Sequence, residues 1–245
     1  MYNNFMSHKS IRKYKSDPVS DLLLNEILEC GSRASTTGNM QVYSLIVSRD
    51  PLIREKLWEI HFKQNMVLEA PVHITFCADF NRFNIWCRIR QAIPGYDNFL
   101  SFFTAAIDAL LVSQNVCLAA EERGLGICYL GTAIYNADKI VEILDLPKGV
   151  VPVAAIVMGY PAENPVITPR LPLEAFVHYE KYKEFTPELI DNIYRERESS
   201  DQTKELLKIN QKETLAQIFT DKRYTQKDNE YFSEKFFETI KNQGF

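Results

Sequence analysis

The chain has 245 residues, 46% of them hydrophobic and 24% charged, with a formal net charge of −4. That length and composition suit one large globular domain or two small ones, each with a buried core. No long Lys/Arg block occurs, which excludes a general nucleic-acid or membrane-surface binder, since such proteins need a broad positive field.

The N-terminal stretch "SHKSIRKY" (Ser7 to Tyr14) gathers His8, Lys9, Arg12 and Lys13, with Lys15 just beyond. Next, "SDPVSDLLLNEILECGSRAS" places Leu23/Ile27 and Leu24/Leu28 at helical spacing, with Asp17 as cap and Pro18 in the first turn, and predicts a helix over residues 20–31. "VYSLIVSR" (Val42 to Arg49) reads as a strand, and Asp50-Pro51 opens a helix reaching about Met66. "VHITFCAD" (Val72 to Asp79) is the next strand, followed by a short helix over residues 81–90. A long helix over residues 98–123, stopped by Gly124, is apolar almost all round and is expected in the middle of the fold. "GICYLG" is a short strand, Asn136 opens a helix, and "VVPVAAIVMGY" is a strand too apolar to face water on either side. This alternation predicts three layers, a sheet covered on both faces.

From Tyr179 the chain turns charged and aromatic, with Phe219, Tyr224, Tyr231, Phe232, Phe236 and Phe237 spread along it. Exposed aromatics at that density call for a partner surface, either the chain's own domain or a second subunit. Five scattered cysteines (Cys30, Cys77, Cys87, Cys117, Cys128) without a C-x-x-C pair suit buried structural thiols in a reducing cytoplasm. No apolar leader is read in the first seventeen residues, and Asp108, Gln114 and Asn115 interrupt the long helix in a way a membrane span rarely tolerates.

"GLGICYLG" follows a helix and leads into a strand, and Tyr129 occupies the place of the last glycine, so it is not a dinucleotide-binding turn. The sequence has no P-loop, no H-E-x-x-H, no nucleophile elbow and no ligand spacing among His8, His61, His73 and His178. No metal and no catalytic nucleophile are expected, so an enzymatic role requires borrowed chemistry. "SHKSIRKY" then has two readings. It is either a solvated basic segment or, because His8, Ser10 and Arg12 alternate on one face of an extended chain, a cradle for a phosphate. Arg170, in "TPRLPLEAF", is a second basic position.

"SHKSIRKY", "RASTTGNMQVYSLIV", "FCADFNR", "EERGLGICYLG" and "GYPAENPVITPRLP" come in the order and spacing of the FMN-dependent nitroreductase family. The chain resembles its NADPH-dependent, oxygen-insensitive nitroreductase and flavin reductase branch over roughly residues 5–178. The resemblance implies an α+β fold, an α/β/α three-layer sandwich with a central mixed sheet and a C-terminal helical arm. It also implies a core over residues 1–180, with residues 181–245 forming an arm of the same domain that embraces a second subunit.

By position, the resemblance assigns His8, Lys9, Ser10, Arg12 and Arg170 to the FMN phosphate and ribityl chain. It assigns Ser35, Thr36 and Thr37 to a loop that reaches the flavin from the neighbouring subunit, Gln64 and Met66 to the edge of the isoalloxazine ring, and Leu130, Gly131 and Thr132 to a segment lying against it. The implied function is a cytoplasmic homodimer with FMN at the subunit interface. It would pass hydride from NADPH or NADH to flavin, then electrons to nitroaromatic, quinone or flavin acceptors in a ping-pong cycle. Two alternatives stand beside it: a divergent family member with other redox chemistry, and a flavin carrier without turnover. Thr168 replaces a lysine usual in the branch, and Ala133, Ile134 and Tyr135 stand where the branch often has an arginine near the dinucleotide. Arg195, Arg197 and Lys204 are candidates for its 2′-phosphate.

Overall fold

The computed structural model describes residues 2–245, with side chains from Phe5 onward, and opens with the short helix α1 (Tyr2–Ser7). It divides into two compact units, one of residues up to Val166 together with Phe232–Phe245, the other Ile167–Tyr231.

The first unit is built on a four-stranded sheet of β1 (Tyr43–Ser48), β2 (Val72–Asp79), β3 (Gly126–Tyr129) and β4 (Val150–Gly159), in the spatial order β1-β2-β4-β3. Alternate residues of β2 serve opposite faces. Val72, Ile74 and Phe76 join the cluster formed with α2 (Asp21–Ser32) and α6 (Phe99–Glu122), which also holds Leu24, Ile27, Val112 and Val116. On the other face, Cys128, Ala155 and Val157 pack with Leu57 of α3 (Pro51–Ile60), Met66 and Val67 of α4 (Met66–Glu69) and Ile140 of α7 (Ala137–Ile143). The three-layer α+β arrangement is therefore as expected.

Strand direction is where the expectation of a mixed sheet is corrected, because all three pairings are antiparallel. A single helix returning the chain to the start of the sheet would make β1 and β2 parallel. Here the connection carries a second reversal and α4, and β2 begins beside the end of β1, with Ser48 opposite His73. Between β2 and β4 the register slips at Phe76/Cys77, where Pro152, which cannot donate to the ladder, enters the pairing.

Local signals fix most boundaries. Ser20, not Asp17, caps α2 by accepting from the Leu23 N–H at 3.2 Å. Asp50 caps α3 with Pro51 at the first helical position. That helix stops at Ile60 rather than reaching Met66, because Phe62 and Lys63 take left-handed backbone angles (φ 54° and 56°). Such angles cost a non-glycine residue about 1 kcal/mol each, so the surrounding structure must impose them. α5 (Asn81–Ile89) follows β2.

α6 corrects the expectation of a fully central helix. Phe102, Ala105, Ala109, Val112 and Val116 are buried, whereas Phe99, Leu100, Phe103, Ile107, Leu110 and Leu111 form an exposed apolar stripe at helical spacing. It is the one helix among the described residues long and apolar enough to cross a membrane, and the apolar window is 50% buried inside the protein. Cys30 departs from the expected burial and is exposed, while the other four cysteines are buried and all five are free thiols.

The C-terminal segment of the first unit packs on its own core. Phe236 and Phe245 meet Phe102 edge-on, and Phe232 stacks on Tyr135 with ring centroids 4.5 Å apart. The second unit holds α8 (Pro187–Ser199), α9 (Asp201–Asn210) and α10 (Leu215–Ile218), and most of its tail aromatics cluster locally: Phe219 stacks on Tyr224 and lies under the guanidinium groups of Arg197 and Arg223. α11 (Gln226–Asn242) ends the chain's regular structure.

Candidate functional site

The N-terminal segment lies along the edge of the sheet. Ile11 donates its N–H to Ile127 of β3 at 2.9 Å, and Tyr14 bridges to Pro161. Ile11 is buried, and Gly126 makes room for it: a Cβ there would come within 2.5 Å of the Ile11 side chain. Glu163 accepts from the backbone N–H groups of both Arg12 (2.5 Å) and Lys13 (3.1 Å). The segment is therefore fixed through its backbone and the buried Ile11 and Tyr14, which leaves Arg12, Lys13 and Lys15 exposed.

Those side chains differ in what they meet. His8 Nδ1 lies 2.6 Å from Glu121 Oε1, and Lys9 Nζ donates to Asn164 Oδ1. Burial raises the pKa of the Cys128 thiol on β3, and the charge of Arg12 and the hydroxyl of Ser10 work against that rise. Arg12 is exposed and, among the described residues, makes no ion pair.

The turn after α3 brings Gln64 and Thr132 together, a juxtaposition that sequence spacing alone did not reveal. Gln64 Nε2 donates to the His61 carbonyl at 2.9 Å and reaches Thr132 Oγ1 at 3.5 Å. Because a carbonyl accepts only from the nitrogen end, the Gln64 amide is oriented by chemistry with its nitrogen toward the His61 carbonyl. Met66 is buried beneath, in the same cluster as Leu130 and Ile11. Leu130 is tied to β4 through its N–H to Ala155 (2.8 Å), and the turn Gly131–Ala133 follows. A Cβ on Gly131 would meet nothing within 4 Å, so the backbone here borders open space.

Two buried histidines stand behind this turn, and they were missed because neither has ligand spacing. His61 Nδ1 is 2.6 Å from Thr132 Oγ1, and His73 Nε2 is 3.4 Å from His61 Nε2. Both rings are wholly buried, and desolvation lowers their pKa values, that of His61 to about 4 and that of His73 well below the ordinary imidazole value. Tyr129 is partly exposed, its hydroxyl lies 2.8 Å from Ser113 Oγ, and partial desolvation raises its pKa.

The remaining positions fall elsewhere. Thr36 and Thr37 are not part of the Gly131 cluster; the Thr37 N–H is held at 2.8 Å by Asp108 Oδ1 on α6. Arg170 lies in the second unit, where it donates to the Thr168 carbonyl at 3.1 Å and lines a cleft with Arg197 and Glu196. Arg195 donates to Asn192, and Lys204 pairs with Asp201.

The residues present fit a flavin mononucleotide. They offer cationic and hydroxyl side chains suited to a phosphate, the Gln64 amide as a polar partner for a ring edge, and a backbone stretch at Gly131 that borders open space. No group of three or more His, Cys, Asp or Glu able to hold a metal occurs among the described residues.

Comparison with known proteins places the chain in a family. The nitroreductase family model matches residues 5–160. An NADPH-dependent oxidoreductase of Staphylococcus saprophyticus is 34% identical over 186 residues, 74% of each chain. A crystal structure of a candidate oxidoreductase from Bacteroides fragilis NCTC 9343 is 49% identical, with a TM-score of 0.97 over 99% of this chain and 98% of that one. The NADPH:FMN oxidoreductase of Vibrio harveyi, solved with NAD+, is 27% identical, with a TM-score of 0.81 over 98% and 96% of the two chains. The chain belongs to the nitroreductase family, and it is an enzyme of the oxidoreductase class.

Proposed function

We propose that the protein is an FMN-dependent NAD(P)H oxidoreductase that works as a homodimer and alternates between donor and acceptor at one site. The observation that carries the reading is the open backbone face at Gly131, beside Thr132 and Gln64, with Leu130 in the same buried cluster as Ile11 of the basic segment. Bound FMN would supply the hydride-accepting and electron-donating chemistry. His8, Lys9, Ser10 and Arg12 would hold its phosphate, Arg12 with a charge-assisted fork. Leu130, Gly131 and Thr132 would orient the ring, and Met66 would back the pocket with an apolar, water-excluding side chain.

The homodimer reading rests on α6. Its exposed stripe, unusual for a monomer, lies on the helix whose Asp108 holds Thr37, so a second copy packed there would carry the Thr36–Thr37 loop with it. Small aromatic acceptors, nitroaromatics and quinones among them, suit a pocket that must also admit nicotinamide. A cytoplasmic setting agrees with the five free thiols.

An anaerobic visible spectrum of the purified protein, before and after NADPH and separately NADH, tests the reading. A flavin spectrum that bleaches is the expected result, and the faster donor sets the dinucleotide preference. No flavin even after incubation with FMN, or a flavin that neither donor bleaches, would overturn it.

A further inference from the structure

The His61–His73 pair offers a way to decide which way the Thr132 hydroxyl points. Thr132 Oγ1 has two polar partners among the described residues, His61 Nδ1 and Gln64 Nε2. Gln64 can only donate to it. The two imidazoles touch through their Nε2 atoms, so one of those nitrogens carries a proton and the other accepts. At the inner end, His73 Nδ1 is buried on β2 with no partner.

Two proton arrangements satisfy these contacts. In one, Thr132 donates to His61, His61 donates to His73, and His73 is left with a buried N–H that has no acceptor. In the other, His73 Nε2–H donates to His61 Nε2, His61 Nδ1–H donates to Thr132, and only a lone pair on His73 Nδ1 goes unmatched. Buried donors without acceptors are rarer in proteins than buried acceptors without donors, which favours the second. Both rings are kept uncharged by burial, so the choice is between neutral tautomers.

We infer that the His61–His73 pair is a positioning device which loads Thr132 Oγ1 with two inward donors, leaving its own hydrogen as a donor to a ligand beside Gly131. In the flavin site proposed above, on which the functional consequence rests, Thr132 is thus a fixed donor to an acceptor atom of the ring. Such a donor strengthens where negative charge develops. His61 and His73 touch no ligand themselves and act only through Thr132.

Long-range proton–nitrogen correlation spectra of 15N-labelled protein read the tautomers directly, with or without FMN. The expected result is an Nδ1–H tautomer for His61 and an Nε2–H tautomer for His73. The reversed pair of tautomers, or a protonated imidazolium on either ring at pH 7, would overturn the inference whether or not the protein binds flavin. On FMN-loaded protein, Thr132→Val should weaken flavin binding by about threefold to tenfold, the worth of one hydrogen bond, and Thr132→Ser should restore it. Equal affinity in Thr132→Val and the parent would overturn the donor role. Absence of flavin from the parent protein would instead sink the function proposed above, while the tautomers would still decide the positioning role by themselves.

Discussion

Asp108, wholly buried in the middle of α6, accepts the backbone N–H of Thr37 at 2.8 Å and so binds the Thr36–Thr37 loop to the helix that carries the exposed apolar stripe. Its second oxygen has no partner. Asp108→Ala should cost about 1–3 kcal/mol, because it leaves the Thr37 N–H unpaired and a cavity behind. Asp108→Asn, which keeps the accepting oxygen, should cost less. Urea denaturation ranks the two variants, and FMN titration of the same proteins reports whether the loop reaches the flavin. Full flavin affinity in a folded Asp108→Ala protein would remove the loop from the site.

The stripe itself predicts assembly. Phe103→Glu together with Ile107→Glu places two carboxylates on an otherwise apolar face, and in a dimer each would be buried without a partner. Sedimentation should show a dimer for the parent and a dissociation constant raised at least about a hundredfold for the variant, with flavin lost in parallel. A flavin-replete monomer would refute the shared site.

Two glycines separate folding from binding. Gly131→Ala adds a methyl group that meets no protein atom, so stability should change by less than about 0.5 kcal/mol while FMN affinity falls. Gly126→Ala drives a methyl group into Ile11 and should cost about 1–3 kcal/mol by overpacking. Thermal melts and flavin titrations of both variants check the contrast, and a Gly131→Ala protein with parental affinity would place the ring elsewhere.

The histidine pair sets a pH dependence. Burial lowers both imidazoles in the folded state, His61 to about 4, with His61 and the nearby Arg54 further opposing a charge on His73. The unfolded chain takes up these protons near pH 6.5, so between pH 6.5 and 4 it binds more protons than the folded one. Stability should therefore fall as pH drops through that window and be level above it, with His61 alone accounting for about 3 kcal/mol by pH 4. Denaturant midpoints at pH 7, 6 and 5 for the parent and for His73→Leu measure it: the variant's decline should be shallower, and identical slopes would contradict the account.

The elements were legible wherever a local rule operates. β2 follows its apolar run to the residue, and Asp50 and Pro51 open α3 where the sequence places them. What stayed hidden depends on distant partners. The break at Phe62–Lys63 has no glycine or proline to announce it, and strand direction follows from that break. An all-round apolar helix reads as central, whereas α6 keeps one apolar face for the outside, a difference no single-chain periodicity encodes. Of the candidate site, the basic segment and Gly131 were readable by residue type and resemblance. The histidines were not, because His61 and His73 are 12 positions apart on a helix end and a strand, and only the fold makes them neighbours.

His73 sits on β2, whose every residue is buried and which is paired on both sides, whereas Thr132 sits on a half-exposed single turn. The chain of contacts between them therefore runs from the stiffest part of the molecule to one of its softer ones. A turn this short has little means of holding a hydroxyl to a direction by itself. Through two imidazole rings it inherits its aim from the sheet, much as a compass needle is steadied by its pivot rather than by its tip.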